Sequence, residues 1–360
     1  MTRRHPVTSL ALVTVAALAA MAGSAPAAAA GPAASYVAHE LTGPDRLPMR
    51  AAAINASLQF AGQTAADGYF RNTSATLGST AGDLLTFTMY GNDNSAGLAI
   101  SSNGWVGGYD YPSRNALRRG LVRSPQGELT DPFAGEKGSF VTVYGVNADG
   151  VAVGDHDLVP NSGATQAFRW TAAGGVEWLG TLGGAESHAN AINDAGTIAG
   201  WSTTAGGTAR AFRYAGGQMK ALPNIFADES VGPDYAYAVN ASDVVVGKCG
   251  TNNVTFVACR WTPGARVPAR LGTLVRDSRA LAINASGLAV GDAQDISSVW
   301  RAVVFDKGRA LDLNLLTIDL PRDVVLDVAV SVNDAGWIAV DGHDGRTQRH
   351  YLLEPVAAGR

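Results

Sequence analysis

Cysteine is nearly missing from this chain of 360 residues, which has only Cys249 and Cys259. Two thiols cannot build a Cys-rich zinc cluster. Charge is sparse as well: charged side chains make up 16%, with 27 Lys and Arg against 31 Asp and Glu. No basic surplus points toward nucleic acid or an anionic membrane. Long apolar runs are also lacking, because the one from Leu10 to Ala22 is shorter than the ~20 residues needed to span a bilayer. Signature motifs of catalysis are absent: there is no G-x-S-x-G elbow, no H-E-x-x-H, no P-loop and no sialidase-type Asp-box. Nothing in the pattern asks for a cofactor or a resident metal, and no catalytic residue is assigned.

What is present begins with an export signal. Arg3 and Arg4 precede the apolar run, and "SAPAAAAG" follows with small residues in an A-x-A pattern. Cleavage is expected near Ala30, which makes residues 1–30 a signal peptide and residues 31–360 a secreted, extracellular domain. Losing Arg3 and Arg4 leaves 25 basic against 31 acidic side chains.

The rest of the chain repeats. "AINDAGTIAG" at Asn193 has counterparts aligned at Asn55, Ser101, Asn147, Asn240, Asn284 and Asn333, spaced by 46, 46, 46, 47, 44 and 49 residues. A period in the forties marks a repeat architecture. Within a unit, two apolar strands flank an Asn-x-x-Gly turn. The Asn side chain can bond back to the chain, and the Gly supplies the positive φ of a type I turn with a G1 bulge. Gly fills that slot at 104, 150, 196, 287 and 336. Asp243 tolerates the left-handed conformation, but Leu58 does not suit it, so the first turn is expected to differ.

A second glycine follows at 62, 108, 154, 200, 247 and 291, with Val340 as the exception. It implies close backbone approach, expected here from crowding near a central axis. The third strand carries aromatic-x-aromatic, as at Phe168 and Trp170 or Phe212 and Tyr214, with Cys259 and Trp261 in the same slots. A fourth segment completes each unit.

Seven four-stranded antiparallel units arranged radially make an all-β seven-bladed β-propeller, here one domain over residues 31–360. An open β-solenoid would need polar caps, and none is visible. The last unit lacks a fourth strand, whereas "SYVAHEL" stands orphaned before the first. The N-terminal strand is therefore expected to close the ring, which removes exposed edges.

At "LGTLGGAESHANAINDAGTIAGWS", Leu179 to Ser202, the chain resembles the HAF-repeat family of extracellular repeat proteins, with "RLGTL" at Arg270 as a partial second copy. The resemblance implies export and a repeat fold, but no reaction. The His of the family's His-Ala-Phe signature is replaced by Gln166 and Arg210.

The two cysteines flank a hairpin, and pairing about Val254 would set them opposite each other, so a disulfide is expected outside the cell. The loop-rich face gathers Asp155, His156, His188, Asp292, Asp341 and His343 as candidate binding residues, with further carboxylates at Asp228, Glu229 and Asp234. Ser187 and His188 are adjacent on a strand and point to opposite faces, which spoils a Ser-His relay. Trp105, Trp201, Trp300 and Trp337 are expected mainly to fill the space between sheets. Asn-Ala-Ser triplets at 55, 240 and 284 coincide with the repeat turn, which accounts for them. The leading expectation is a monomeric, non-catalytic binding or scaffolding module for an extracellular protein or glycan. The alternative is a secreted carbohydrate-active or metal-assisted enzyme using Asp155, His156, Asp341 and His343.

Overall fold

The computed structural model describes residues 33, 35–43, 47–65, 72–91, 94–113, 116–136, 140–157, 164–226, 232–252 and 255–356. Residues 1–30, read from the sequence as an export signal, the Asp228/Glu229 pair and Val254 lie outside them. Seven four-stranded antiparallel sheets form a ring, and the described residues include one short helical turn at Leu313–Leu316. In chain order the blades occupy residues 49–87, 95–130, 140–178, 183–221, 234–272, 278–312 and 325–356. Strands are lettered a to d within each blade; the a strands of successive blades adjoin one another and line the centre.

The seventh blade has only three strands of its own, and Ser35–Glu40 supplies the fourth, from Ser35 opposite Val356 to Glu40 opposite Tyr351. Tyr36 anchors that strand. It is fully buried in a cluster with Leu313, Leu326, Ile338 and Leu353, a burial worth roughly 2–3 kcal/mol. The protein is thus a closed seven-bladed β-propeller.

The repeat Asn does two jobs at each of the six turns that carry it. Its Oδ1 accepts backbone N–H groups of its own turn, as Asn193 accepts from Thr197 at 2.9 Å and Asn240 from Val244 at 3.1 Å. Its Nδ2 donates to the next blade. Asn147 reaches the Asn193 carbonyl at 3.2 Å, Asn193 that of Asn240 at 2.9 Å, Asn240 that of Asn284 at 3.0 Å, and Asn284 that of Asn333 at 2.9 Å. Asn55 bonds the Ser101 carbonyl at 3.1 Å. Where Ser101 replaces Asn, the amide of Asn103 bridges to the Ala148 carbonyl at 2.8 Å. The Asn side chains at 55, 240 and 284 are thereby buried in this belt.

Two turn and strand expectations need correction. Leu58 adopts φ 58° and keeps the same turn, with its N–H on the Asn55 carbonyl at 3.1 Å, because the Asn55 bonds hold the backbone there. The second glycines are crowded by their own blade rather than by the axis. Each a strand carries a β-bulge, and a Cβ on Gly62, Gly154 or Gly200 would lie 1.8, 1.9 or 1.9 Å from the carbonyl oxygen of Arg50, Thr142 or His188. The exceptional last blade has a second irregularity between Leu326 and Val328, and its own crowded glycine at 342.

The large strand-c side chains plug the gap to the preceding blade. Phe168 and Trp170 share a cluster with Val122 and Phe133, and Phe212 and Tyr214 share one with Val153 and Leu179. Cys249 and Cys259 are bonded, with 5.9 Å between their Cα atoms. They sit diagonally rather than opposite, because Cys249 pairs with Val257 and Cys259 with Gly247. Ser187 is buried and accepts the Ala167 N–H at 2.9 Å, a link between blades that Ser95 and Ser278 repeat toward Ala75 and Ala258 at 2.8 Å each.

Candidate functional site

Past the bulge, nearer the loop-rich end of the ring, each blade has one cross-strand pair that supplies the candidate site. Its strand-b member is the residue after the glycine position: Gln63, Tyr109, Asp155, Trp201, Lys248, Asp292 and Asp341. Its cross-strand neighbour on strand a is Arg50, Ala96, Thr142, His188, Tyr235, Arg279 or Val328. Contacts then run from a strand-a side chain to strand b of the preceding blade.

Arg50 of the first blade bonds Asp341 of the seventh at 2.8 Å, and His188 of the fourth bonds Asp155 of the third at 2.6 Å. Trp201 stacks on His188 at 4.1 Å between ring centroids and meets the Tyr235 edge at 5.2 Å. The Lys248 ammonium lies over Tyr235 at 4.6 Å and over Phe256 at 4.0 Å. Burial, then the neighbouring Arg279, hold its pKa below the usual lysine value. Trp201, Tyr235, Lys248 and Phe256 are all half-buried.

Beside this row opens a cavity of about 380 Å³ lined by Arg118, Phe140, Tyr144, Asp155, Asp157, Thr165 and His188. Tyr144 is a bulge residue. Burial, then the Asp155 charge, push its phenol above the ordinary value and keep it a neutral hydrogen-bonding group. The Arg118 guanidinium lies over Tyr109 at 5.5 Å and over Phe140 at 5.9 Å.

The six sequence-predicted binding residues do not form one cluster. Asp155 and His188 meet. His156, the next residue along the strand, faces the other way, buried against Phe133 and Trp178 with Glu136 at 3.0 Å. Asp292 is buried under Arg279, and burial raises its pKa. Asp341 is held by Arg50 and by the buried His350 at 2.8 Å; burial pushes its carboxyl up, but those two partners leave it below the usual range. His343 pairs with Asp327 at 2.7 Å, partly exposed. Among the described residues no three His, Cys, Asp or Glu side chains cluster to hold an ion.

Sequence reasoning that looked for acids and imidazoles missed Arg118, Tyr144, Tyr235 and Lys248. The signal that could have found Lys248, and through the strand pairing Tyr235, is the column after the strand-b glycine, where every unit has a polar or aromatic residue. Trp201 joins the ring stack, and Trp300 lies beneath Arg279 at 4.6 Å.

No family model matches the chain, and no curated protein does. Among solved structures it is similar to TolB from Acinetobacter baumannii at 12% identity and TM-score 0.46, over 83% of this chain and 64% of that one. The β-propeller domain of the Trilobed protease from Pyrococcus furiosus is 10% identical with TM-score 0.48, over 77% and 83%. The fucose-specific lectin from Aleuria aurantia is 8% identical with TM-score 0.40, over 87% and 98%. The chain thus spans less than two thirds of TolB.

Proposed function

We propose that the chain is an exported HAF-type repeat protein that binds a glycan, without chemistry on it, through the loop-rich face. The observation that carries this is the half-buried row His188, Trp201, Tyr235 and Phe256 beside a cavity offering Asp155, Tyr144 and Arg118. Sugar C–H faces pack on aromatic rings, while hydroxyls need nearby acceptors and donors. Acid-base catalysis is less well served, because Asp155 and Asp341 are each tied to a basic partner.

A protein partner is the second reading. Ile296, Leu315 and Ile318 are 84, 83 and 67% exposed on connections that leave the sixth blade at the same end.

A glycan array probed with residues 31–360 tests the leading reading. Retention of a defined glycan class, weakened at least tenfold by Trp201→Ala or Tyr235→Ala, is the expected result. An array without signal, or a signal that both variants keep, overturns it.

A further inference from the structure

A second sizeable opening among the described residues lies away from the loop-rich face. It is a crevice of about 480 Å³ at the seam between the seventh and first blades. Its origin can be read position by position. The residue paired with strand b two places before the glycine position is Arg123, Trp170, Tyr214, Trp261, Phe305 or Leu353 in blades two to seven. In the first blade it is Gly78, paired with Phe60. A Cβ on Gly78 would lie 2.2 Å from the Phe60 ring, so in the first blade an aromatic from strand b fills the inner part of the strand-c slot, and the crevice opens on its outer part beside Phe60 and Leu84.

The slot keeps the surroundings that hold a ring elsewhere. In the third blade's slot, Trp170 packs in one cluster with Trp105 of the preceding blade. Trp337 is the equivalent of Trp105, four residues after the turn Asn position, and it lines the crevice. Ring tips in sibling slots bond the preceding blade: the Tyr214 hydroxyl donates to Glu177 at 2.8 Å, and the Trp261 indole N–H donates to the Pro223 carbonyl at 2.7 Å. Leu179, Leu222 and Leu41 each donate their N–H to an equivalent strand-c carbonyl, which fixes the alignment. By that alignment His39 stands where Glu177 does and Thr42 where Pro223 does, and both line the crevice.

We propose that this crevice binds a small aromatic molecule of the indole or phenol type, inserted against Phe60 where the sibling blades place the tips of their own Trp or Tyr rings. Met49, Phe60, Leu84 and Leu352 make the floor apolar, and polar groups gather at the rim around His39. His39 is oriented by its bond to Glu354 at 2.8 Å and stacks on Trp337 at 5.5 Å. A pyranose would bury several hydroxyls against that floor without partners, whereas an indole buries one N–H, so the aromatic ring is the better occupant. The site is separate from the loop-rich face and does not depend on the glycan reading.

Indole itself is the probe, titrated against residues 31–360 by calorimetry and by NMR. The expected result is saturable one-to-one binding, with cross-relaxation between indole ring protons and the Met49 and Leu84 methyl groups. Leu84→Trp, which fills the slot, and Trp337→Ala, which removes its wall, should each weaken binding at least tenfold while the circular dichroism spectrum stays that of the parent. The proposal is overturned by absence of saturable binding up to the solubility of indole, by cross-relaxation to other methyl groups only, or by methyl glucopyranoside binding in indole's place. The cross-relaxation measurement needs no variant, so it decides the matter even if both substitutions prevent folding.

Discussion

Asn333 donates its side-chain amide to the carbonyl of Asn55 at 3.0 Å, across 278 residues of sequence, and so joins the last turn of the ring to the first. The recurrent Asn therefore belongs to a belt between blades as much as to its own turn. Each member fixes the angle between two neighbouring sheets at the end opposite the loop-rich face.

Removing one member should cost more than an ordinary turn substitution. Asn193→Ala deletes the donor to Asn240 and the acceptor of the Thr197 N–H, both in buried surroundings. An unsatisfied buried group costs ~1–3 kcal/mol, so urea unfolding should show a loss of about 2 kcal/mol or more. A loss below about 0.5 kcal/mol would remove the belt from the list of stabilising features.

The strand-b glycines and the turn glycines should respond differently to alanine. At Gly200 a Cβ meets the His188 carbonyl oxygen at 1.9 Å, whereas at Gly196, with φ 79°, nothing lies within 4 Å. Gly196→Ala carries only the left-handed backbone cost of about 1–2 kcal/mol. Gly200→Ala carries no such cost but must open the bulge that presents His188, so it should destabilise more and weaken the proposed glycan binding as well. Thermal unfolding and array binding of the two variants check both halves of that statement.

Most of the architecture was legible because it repeats. Seven copies of one turn give the blade count, and the missing fourth strand after Gln348–Val356 matches the orphan at Ser35–Glu40. What stayed illegible depends on relations between units. That Asn147 bonds the following turn, or that His188 meets Asp155 rather than His156, follows from how blades pack and not from any local pattern. Leu58 misled for a related reason, since residue preference there is overridden by the surrounding bonds. The exchange of the strand-c ring for Gly78, with Phe60 over it, becomes visible only when the siblings Trp170, Tyr214 and Trp261 are aligned through the strand pairing.

Acidity should reveal the buried Arg210–Asp234 pair. Burial outweighs the guanidinium and pushes Asp234 from an ordinary 3.8 up to about 6. Between those values the folded chain holds a proton that the unfolded chain has released, so stability is greatest below the unfolded pKa and falls as pH rises toward 6. The stability of the parent relative to Asp234→Asn, measured in urea at pH 4 and pH 6.5, should therefore decline by on the order of 2 kcal/mol. A difference that stays level or grows with pH contradicts this assignment.

Closure of the ring is open to a single direct measurement, calorimetric unfolding of residues 42–360 beside residues 31–360. Without Tyr36 and its ladder to the C-terminal strand, the midpoint should fall by roughly 10 °C, and adding a peptide of residues 35–41 should restore part of it. An unchanged midpoint would mean that the N-terminal strand does not complete the seventh blade.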